Sequence, residues 1–175
     1  MRQKQNVKSK TMKQKTEQDA FLTLAALCAQ AEHCQYEMRE KMRRWELPED
    51  AQARVMERLT KERYIDDERF ARAFVKDKIR YNKWGRRKVQ QALWQKHVSD
   101  DIQQRVLDEI DEDEYLSVLR PLLKQKRKTV KAENDYELNR KLARFALSRG
   151  FTFDIIRQCL DVEDLEEEDE GTLVD

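Results

Sequence analysis

Basic side chains crowd one short stretch of the sequence, and a tryptophan lies among them. Residues 76–96 contain eight lysines and arginines and a single acid, Asp77. Cations at this density attract DNA phosphates or an acidic groove on a protein. Tryptophan and arginine are also enriched at the strongest points of protein interfaces. The sequence therefore predicts a partner-binding or DNA-binding surface, with contacts from Lys76, Arg80, Lys83, Trp84, Arg86, Arg87 and Lys88.

A second basic run covers residues 120–131, which hold six lysines and arginines and no acid. Lys124 and Lys128 are four residues apart, so on a helix they share a face that phosphates could contact. Arg144 extends the run into the next helical pattern. These three residues complete the candidate contacts. For both runs the alternative stays open that the cations only solvate a helix face, since exposed Lys-rich helices are common.

The other residues able to do chemistry form no catalytic or metal-binding pattern. Asp66 and Asp67 are paired carboxylates, yet Asp is a preferred helix N-cap and a helical pattern follows them directly. His33 and Cys34 are neighbours, which is not the spacing of helical metal ligands. The sequence has no Gly-rich loop for a nucleotide phosphate and no serine-nucleophile motif. We expect a protein that is not an enzyme, with no metal, no cofactor and no small-molecule substrate.

The composition favours an all-α protein. Gly and Pro number only 3 and 2 among 175 residues, too few for the turns of a sandwich or barrel. Charged residues make up 41% of the chain, which suits an array of small helical units with a large solvent-exposed surface. The longest uncharged run is too short for a bilayer span, which needs about 20 residues. Three cysteines without a CxxC pair and the lack of a secretory signal pattern predict a cytoplasmic protein with no membrane contact.

The net charge of +1 conceals a strong segregation of charge. Residues 1–16 hold six cations and no anion, and residues 161–175 hold nine anions and no cation. We predict a flexible basic arm over residues 1–18 and an acidic tail over residues 161–175, because both segments lack the apolar content of a core. Whether the acidic tail folds back on a basic face stays open at this point.

One helical pattern occurs three times along the chain. Its marker is an apolar residue followed by a helix start, at spacings of 51 and 53 positions: Leu47-Pro48, Val98-Ser99 and Phe151-Thr152. A period near this length is typical of tandem helical units. We therefore predict three-helix repeats over residues 19–65, 66–111 and 112–160. The predicted helices cover 19–31, 36–45, a stretch after Pro48, 68–80, 86–96, a stretch from Ser99, 115–128, 136–148 and 153–160.

Helical spacing also assigns the apolar residues to buried faces. In the second repeat these are Phe70, Ala73, Phe74, Val89, Leu93 and Trp94. Phe145 and Phe151 are interpreted as core residues in preference to base-stacking platforms. Gly150 follows the eighth predicted helix as a C-terminal cap would.

Two segments of the second repeat go beyond a generic helical pattern: YIDDERFARAF at 64–74 and KWGRRKVQQAL at 83–93. With HVSDDI after them and KLARFALSRGF at 141–151, they resemble the RecX family of bacterial recombination regulators. The resemblance implies three tandem three-helix repeats in an elongated, curved array. It also implies a non-enzymatic protein that binds RecA and RecA–single-stranded DNA filaments and inhibits recombinase and ATPase activity in DNA repair and recombination. The small residue or Gly that the family usually has before each third helix corresponds to Glu46, His97 and Gly150.

Two other functions stay open from the sequence. Three-helix units with basic second or third helices also occur in helix-turn-helix proteins that bind nucleic acid directly. A helical scaffold for protein partners is the second alternative. Whether regulation activates or inhibits, and which cations contact RecA and which contact DNA, does not follow from the residues.

Overall fold

The computed structural model describes residues 15–160, and each regular element in that range is an α-helix. The helices lie where the apolar spacing predicts them, with ends that differ by a few residues. In chain order they are α1 (Glu17–Gln30), α2 (Gln35–Arg44), α3 (Glu49–Lys61), α4 (Asp67–Arg80), α5 (Arg86–Gln95), α6 (Asp100–Asp108), α7 (Glu112–Arg127), α8 (Asp135–Ser148) and α9 (Phe153–Arg157). The prediction of an all-α chain built from three-helix repeats is confirmed.

The chain divides into two compact units at Asp66, and the described part of the first holds α1–α3. Helix α3 packs against both α1 and α2. Leu24, Met38, Met42 and Leu59 are fully buried in this core. The ring of Phe21 meets that of Tyr64 edge-to-face at 6.0 Å, which closes the core on the side of the following loop.

The second unit contains α4–α9, so the second and third repeats share one compact body. Helix α4 packs against α5, α6 and α7, and the third repeat adds contacts between α7, α8 and α9. The fully buried side chains here include Leu93, Leu107, Leu119, Leu142 and Phe151. Because α4 contacts both α6 and α7, the two repeats are packed together and not simply joined in sequence.

The second helix of every repeat ends in the same way. Glu46, His97 and Gly150 have φ angles of 55°, 54° and 88°, in the left-handed region. The next amide then donates back to the last turn: Leu47 N to Met42 O at 3.1 Å, and equivalently Val98 N to Leu93 O and Phe151 N to Ala146 O at 3.2 Å. This is the hydrogen bond of a Schellman C-cap. The prediction for Gly150 is confirmed, and Glu46 and His97 adopt the same conformation despite carrying a Cβ.

Contacts of the first repeat recur in the second at the same 51-residue spacing. The side-chain amide of Gln52 donates to Leu47 O at 2.7 Å, and that of Gln103 donates to Val98 O at 2.8 Å. The third repeat has Ile156 at the corresponding place. Arg54 pairs with Glu17 at 2.9 Å, and Arg105 pairs with Glu68 at 3.0 Å. The sequence period is therefore also a period of contacts.

Several sequence expectations need correction. Helix α1 begins at Glu17 and is capped by Thr16 Oγ1, which accepts from Asp19 N at 3.1 Å, so the helix starts before the predicted end of the basic arm. Ser99 occupies the N-cap position of α6, but its hydroxyl makes no capping hydrogen bond with the described chain. The predicted arm up to residue 14 and the predicted acidic tail lie outside the described residues.

Two buried faces are also rotated from their predicted positions. On α4 the fully buried residues beside Phe70 are Ala71 and Val75, whereas Ala73 and Phe74 are only half-buried. On α5 Trp94 is 68% exposed, although Val89 and Leu93 are buried as predicted. Helical spacing identifies the helix, but the packing partners decide which part of the apolar arc faces inward.

Candidate functional site

The first turn of α5 concentrates positive charge. It contains Arg86, Arg87 and Lys88 and no acid, whereas every other helix within residues 15–160 has at least one acid in its first turn. A helix N-terminus already carries a partial positive charge from the aligned peptide dipoles. Three cations there add to that potential and cost helix stability. This turn is therefore a place in the described chain where the side chains of three successive residues can attract an anion.

The same turn is docked against the end of α8. The amide of Gly85 donates to Arg149 O at 2.8 Å, and the amide of Arg87 donates to Gly150 O at 3.0 Å. A Cβ on Gly85 would lie 2.4 Å from the carbonyl carbon of Gly150, so only Gly permits this approach. Because the amide of Arg87 has a carbonyl partner, an anion at this turn must be bound mainly through side chains.

Two cations flank the ring of Trp84. Lys78 Nζ lies 5.1 Å and Lys88 Nζ 5.0 Å from the ring centroid, both within range of a cation–π interaction. Trp84 is half-buried, so its ring is held in place without being enclosed. Trp84 and Lys88 were predicted as contacts, and the structure brings them together; Lys78 belongs to the same cluster although it was not among the candidates.

A second ring with two cations lies at the end of α8. Lys126 Nζ lies 4.9 Å and the Arg149 guanidinium carbon 5.5 Å from the centroid of Phe145. Arg149 also donates to Asn82 O, in the α4–α5 loop, at 3.5 Å. Phe145 is half-buried, which corrects its assignment to the core. Arg149 therefore connects the second basic run to the α4–α5 loop within the first.

Arg86 is engaged inside the fold. Its guanidinium donates to Leu107 O at 3.0 Å and to Asp108 Oδ1 at 2.6 Å. A cation at the end of α6 is favourable for the helix dipole and satisfies a carbonyl of the last turn. Arg86 thus positions the start of α5 against α6, and its candidacy as a partner contact is weakened by this geometry.

The remaining predicted contacts of the first run are exposed. Lys76 and Arg80 lie on α4, Lys83 in the following loop and Arg87 on α5. Lys83 has a φ of 58°, and its ammonium group donates to Arg80 O at the end of α4. We name Lys78, Lys83, Trp84, Arg87 and Lys88 the α5 basic cluster.

The predicted contacts of the second run lie apart from this cluster. Lys124, Lys128 and Arg144 are all exposed, and Lys128 is the C-cap of α7. Among the described residues no hydrogen bond or ring contact joins them to Trp84. Lys124 instead lines a cavity of about 290 Å³ between α7, α8 and the end of the described chain. The two sequence runs are thus joined through Arg149 and Lys126, which the candidate set did not include.

Ion pairs fix α4 against α6 and the residue that follows it. Arg72 donates to Glu68 at 2.7 Å and to Glu109 at 2.8 Å. Hydrogen bonds from Arg105 and then Arg72 lower the pKa of Glu68, and the hydrogen bond from Arg72 lowers the pKa of Glu109. Lys76 contributes a smaller Coulombic lowering at Glu109. These carboxylates stay ionised at a lower pH than free ones, so the framework keeps its charge pattern under mildly acidic conditions.

Sequence reasoning missed Trp94 as a surface residue. At 68% exposed it is one of the most accessible aromatic side chains of the described chain, together with Tyr81 at 72%. The available signal was its position seven residues after Arg87, which places both on one helix face. Gln90 and Gln91, near the same face, are exposed.

Searches of residues 15–160 for two other kinds of site gave no candidate. No group of three or more His, Cys, Asp or Glu side chains in this range could hold a metal ion. No helix in the range is both long and apolar enough to cross a membrane. All three cysteines are free thiols.

Family comparisons match all three repeats. The models of the RecX first, second and third three-helix domains match residues 20–59, 66–107 and 112–160. A regulatory protein RecX of Clostridium perfringens is 37% identical over 120 residues, covering 67% of this chain and 56% of that protein. The RecX of Prosthecochloris aestuarii is 34% identical over 130 residues, covering 74% of this chain and 83% of that protein. The chain thus spans little more than half the length of the clostridial relative.

Solved structures share the fold. The crystal structure of RecX from Lactobacillus salivarius superposes with a TM-score of 0.72 at 17% identity, covering 82% of this chain and 93% of that one. A second crystal structure of regulatory protein RecX gives a TM-score of 0.75 at 15% identity, covering 82% and 72% of the two chains.

Proposed function

The chain belongs to the RecX family of regulatory proteins, and from this membership we propose that it binds RecA–single-stranded DNA filaments and lowers the ATPase and recombinase activity of RecA. It does so by binding and not by catalysis. A partner of this kind places the protein in the cytoplasm, and no small molecule or membrane takes part.

The observation that supports this proposal is the first turn of α5. Arg87 is exposed, Lys88 lies 5.0 Å from the centroid of the Trp84 ring, and the first turn of α5 contains no acidic residue. Arg86, which precedes them, pairs with Asp108 at 2.6 Å and holds the turn against the end of α6. A nucleoprotein filament presents phosphates and acidic side chains, and both are attracted by such a turn. We assign the partner contact to the α5 basic cluster.

The remaining predicted contacts are expected to contribute less to partner binding. Lys76 and Arg80 are exposed on α4, and Lys124, Lys128 and Arg144 are exposed on the third repeat. Each adds attraction at longer range, but exposed charges beyond a Debye length of about 8 Å are largely screened at physiological salt. Their individual effects are therefore expected to be smaller than those of Arg87 and Lys88.

The direct test is a titration of RecA ATPase on single-stranded DNA with the purified chain. The rate is expected to fall at substoichiometric amounts, because one bound molecule at a filament interrupts further assembly. A rate that is unchanged at equimolar protein contradicts the proposal. A different ATPase that depends on single-stranded DNA is the control, because its rate falls only if the chain acts by covering DNA.

The second candidate function is direct binding of single-stranded nucleic acid, and the two cation-flanked rings favour it. Lys78 and Lys88 lie 5.1 and 5.0 Å from the Trp84 ring centroid, and Lys126 and Arg149 lie 4.9 and 5.5 Å from that of Phe145. Aromatic faces beside cations are the elements with which proteins hold single strands, at about 1–3 kcal/mol per stacked base. Filter binding without RecA over a salt series distinguishes the two functions. Tight binding with a steep salt slope, together with inhibition of the control ATPase, favours the direct binder.

A further inference from the structure

The cavity beside α7 has a charge and a position that the proposed function does not use. Arg120, Lys124 and Arg127 line it from α7. They are spaced four and three residues apart, so they project from one side of the helix. Its volume is about 290 Å³, and the described residues that line it include no carboxylate.

Apolar side chains and the end of the described chain also line this cavity. Leu123 and Leu142 contribute apolar side chains from α7 and α8, and Cys159 and Leu160 line it from the last described residues. Lys124 and Arg127 form no ion pair with another described residue. A cavity lined by three cations and by apolar side chains fits a ligand that carries several carboxylates and one or two apolar side chains.

The chain itself supplies a segment of that chemistry at that place. Leu160 lines the cavity and is the last residue that the structure describes, and the acidic segment follows it directly in the sequence. Eight of the ten residues in 161–170 are Asp or Glu, and the other two are Val162 and Leu165. The sign of these charges complements the three cations of the cavity, and the two apolar residues are of the same kind as Leu123 and Leu142, which also line it.

We propose that the cavity lined by Arg120, Lys124, Arg127, Leu123 and Leu142 binds the acidic segment 161–170 of the same chain. Bound there, the segment neutralises part of the second basic run and opposes the approach of polyanions to the third repeat. Weakening of this contact by salt or by a competing polyanion then exposes the cations. The regulatory consequence rests on the proposed function, but occupancy of the cavity does not.

Cys159 reports occupancy of the cavity without reference to DNA or RecA. It lines the cavity and is half-buried, and burial raises the pKa of its thiol while the neighbouring Arg120 lowers it by a smaller amount. A bound acidic segment covers the thiol and disfavours its thiolate, so both effects slow alkylation. Cys28, half-buried in the first unit, serves as the internal reference on the same molecule.

The experiment compares iodoacetamide labelling of Cys159 and Cys28 by peptide mass spectrometry in the full chain. Changing every Asp to Asn and every Glu to Gln between residues 161 and 170 is expected to raise the labelling ratio of Cys159 to Cys28 roughly fivefold, since several weak ion pairs are lost together. The cavity-side variant Lys124→Gln/Arg127→Gln is expected to raise it in the same direction. Arg120 is kept because it contacts the thiol.

The matched control is Arg39→Gln/Arg44→Gln, which removes two exposed cations from α2 and is expected to leave the ratio unchanged. Circular dichroism verifies that each variant is folded. A ratio that is the same in the acid-neutralised variant and the parent overturns the proposal. If single-stranded DNA slows labelling of Cys159 while neutralising the acids leaves the labelling ratio unchanged, the cavity binds phosphates and the proposal is likewise overturned.

The RecA titration then separates this inference from the proposed function. If neutralising the acids raises the Cys159 ratio and also lowers the concentration needed to inhibit RecA, both are supported. If the ratio rises but no variant inhibits RecA, the proposed function fails and the intramolecular contact stands.

Discussion

Helices α2 and α5 occupy the same place in successive repeats, yet their first turns carry opposite charge. Both are ten residues long, and both bury their apolar pair completely, Met38 and Met42 in α2, Val89 and Leu93 in α5. Residues 32–37 read EHCQYE, whereas residues 83–88 at the same register read KWGRRK. The buried face is thus apolar in both helices, whereas the first turn is acidic in α2 and basic in α5. Positive charge at this turn is not needed for a repeat to fold. The charge at the start of α5 therefore indicates a role other than folding.

The framework around the two turns supports the comparison. The hydrogen bond from Gln52 to Leu47 O has its counterpart in that from Gln103 to Val98 O, at 2.7 and 2.8 Å. Ion pairs between the first and third helices also correspond. The two turns differ in their charges and in the residue at the position of Gly85, where α5 docks against α8, so exchanging individual residues tests the difference directly.

The largest effect is expected from Gly85, whose counterpart is Cys34. Gly85→Ala places a Cβ 2.3 Å from Phe151 N and 2.4 Å from the Gly150 carbonyl, so α5 must separate from the end of α8. Urea unfolding is expected to show a loss of about 3 kcal/mol in the free energy of unfolding, as for severe overpacking. Cys34→Ala, which keeps its Cβ and loses only a buried sulfur, is the control, at about 1 kcal/mol. A loss for Gly85→Ala no greater than for Cys34→Ala contradicts the described joint.

Charge reversal at the first turn of α5 comes next. Arg87→Glu/Lys88→Glu is expected to weaken inhibition of RecA about tenfold, and to lower the salt slope of any DNA binding, because two contacts to anions are lost. Arg86 is left intact since it pairs with Asp108. The control is Arg39→Glu/Arg44→Glu on α2, with the same change of charge at exposed positions. Equal loss of inhibition in both variants would show that only net charge matters and that the two turns are equivalent.

A smaller effect on stability is expected at the shared glutamines. Gln103 is buried, at 3% exposed, whereas Gln52 is half-buried. Gln103→Leu leaves the carbonyl of Val98 without this donor and is expected to cost about 1.5 kcal/mol, and Gln52→Leu about half as much. Chemical denaturation of the two variants measures the difference. If Gln52→Leu costs more, burial does not set the value of this hydrogen bond.

The smallest effect concerns Arg86, the cation that supports the turn. Its side chain is 31% exposed and that of Asp108 is 55% exposed, so solvent screens much of the attraction. Arg86→Ala is expected to lower the free energy of unfolding by about 0.5 kcal/mol, with less effect on RecA inhibition than the Arg87/Lys88 variant. Gln35→Ala at the matching position of α2 is the control for stability. Loss of inhibition without loss of stability would make Arg86 a direct contact.

Much of the fold could be predicted from the sequence, because the spacing of apolar residues and the residues at helix ends recur in each repeat. The helices, the period and the role of Gly150 were all predictable in this way. The orientation of the exposed faces was not, as Trp94 and Phe145 demonstrate, because neighbouring helices from other repeats decide which part of an apolar arc is covered.

Prediction of the candidate site was less complete, for a similar reason. The density of cations placed Trp84 and Lys88 in one candidate stretch, and the structure brings these two side chains together. It could not distinguish Arg86, held by a carbonyl and a carboxylate of α6, from Arg87 one residue later, which is exposed. Nor could it place Arg149 beside Asn82, since that contact depends on how α8 ends against the α4–α5 loop.

The joint between Gly85 and Arg149 also bears on how the chain folds during synthesis. The amide of Gly85, at the start of α5, donates to the carbonyl of Arg149, which lies a whole repeat further along the chain. Until that partner has been made, the cationic first turn of α5 lacks both this hydrogen bond and the opposing end of the α8 dipole. The first repeat closes on its own residues and should fold as soon as it leaves the ribosome, whereas the second should wait for the third.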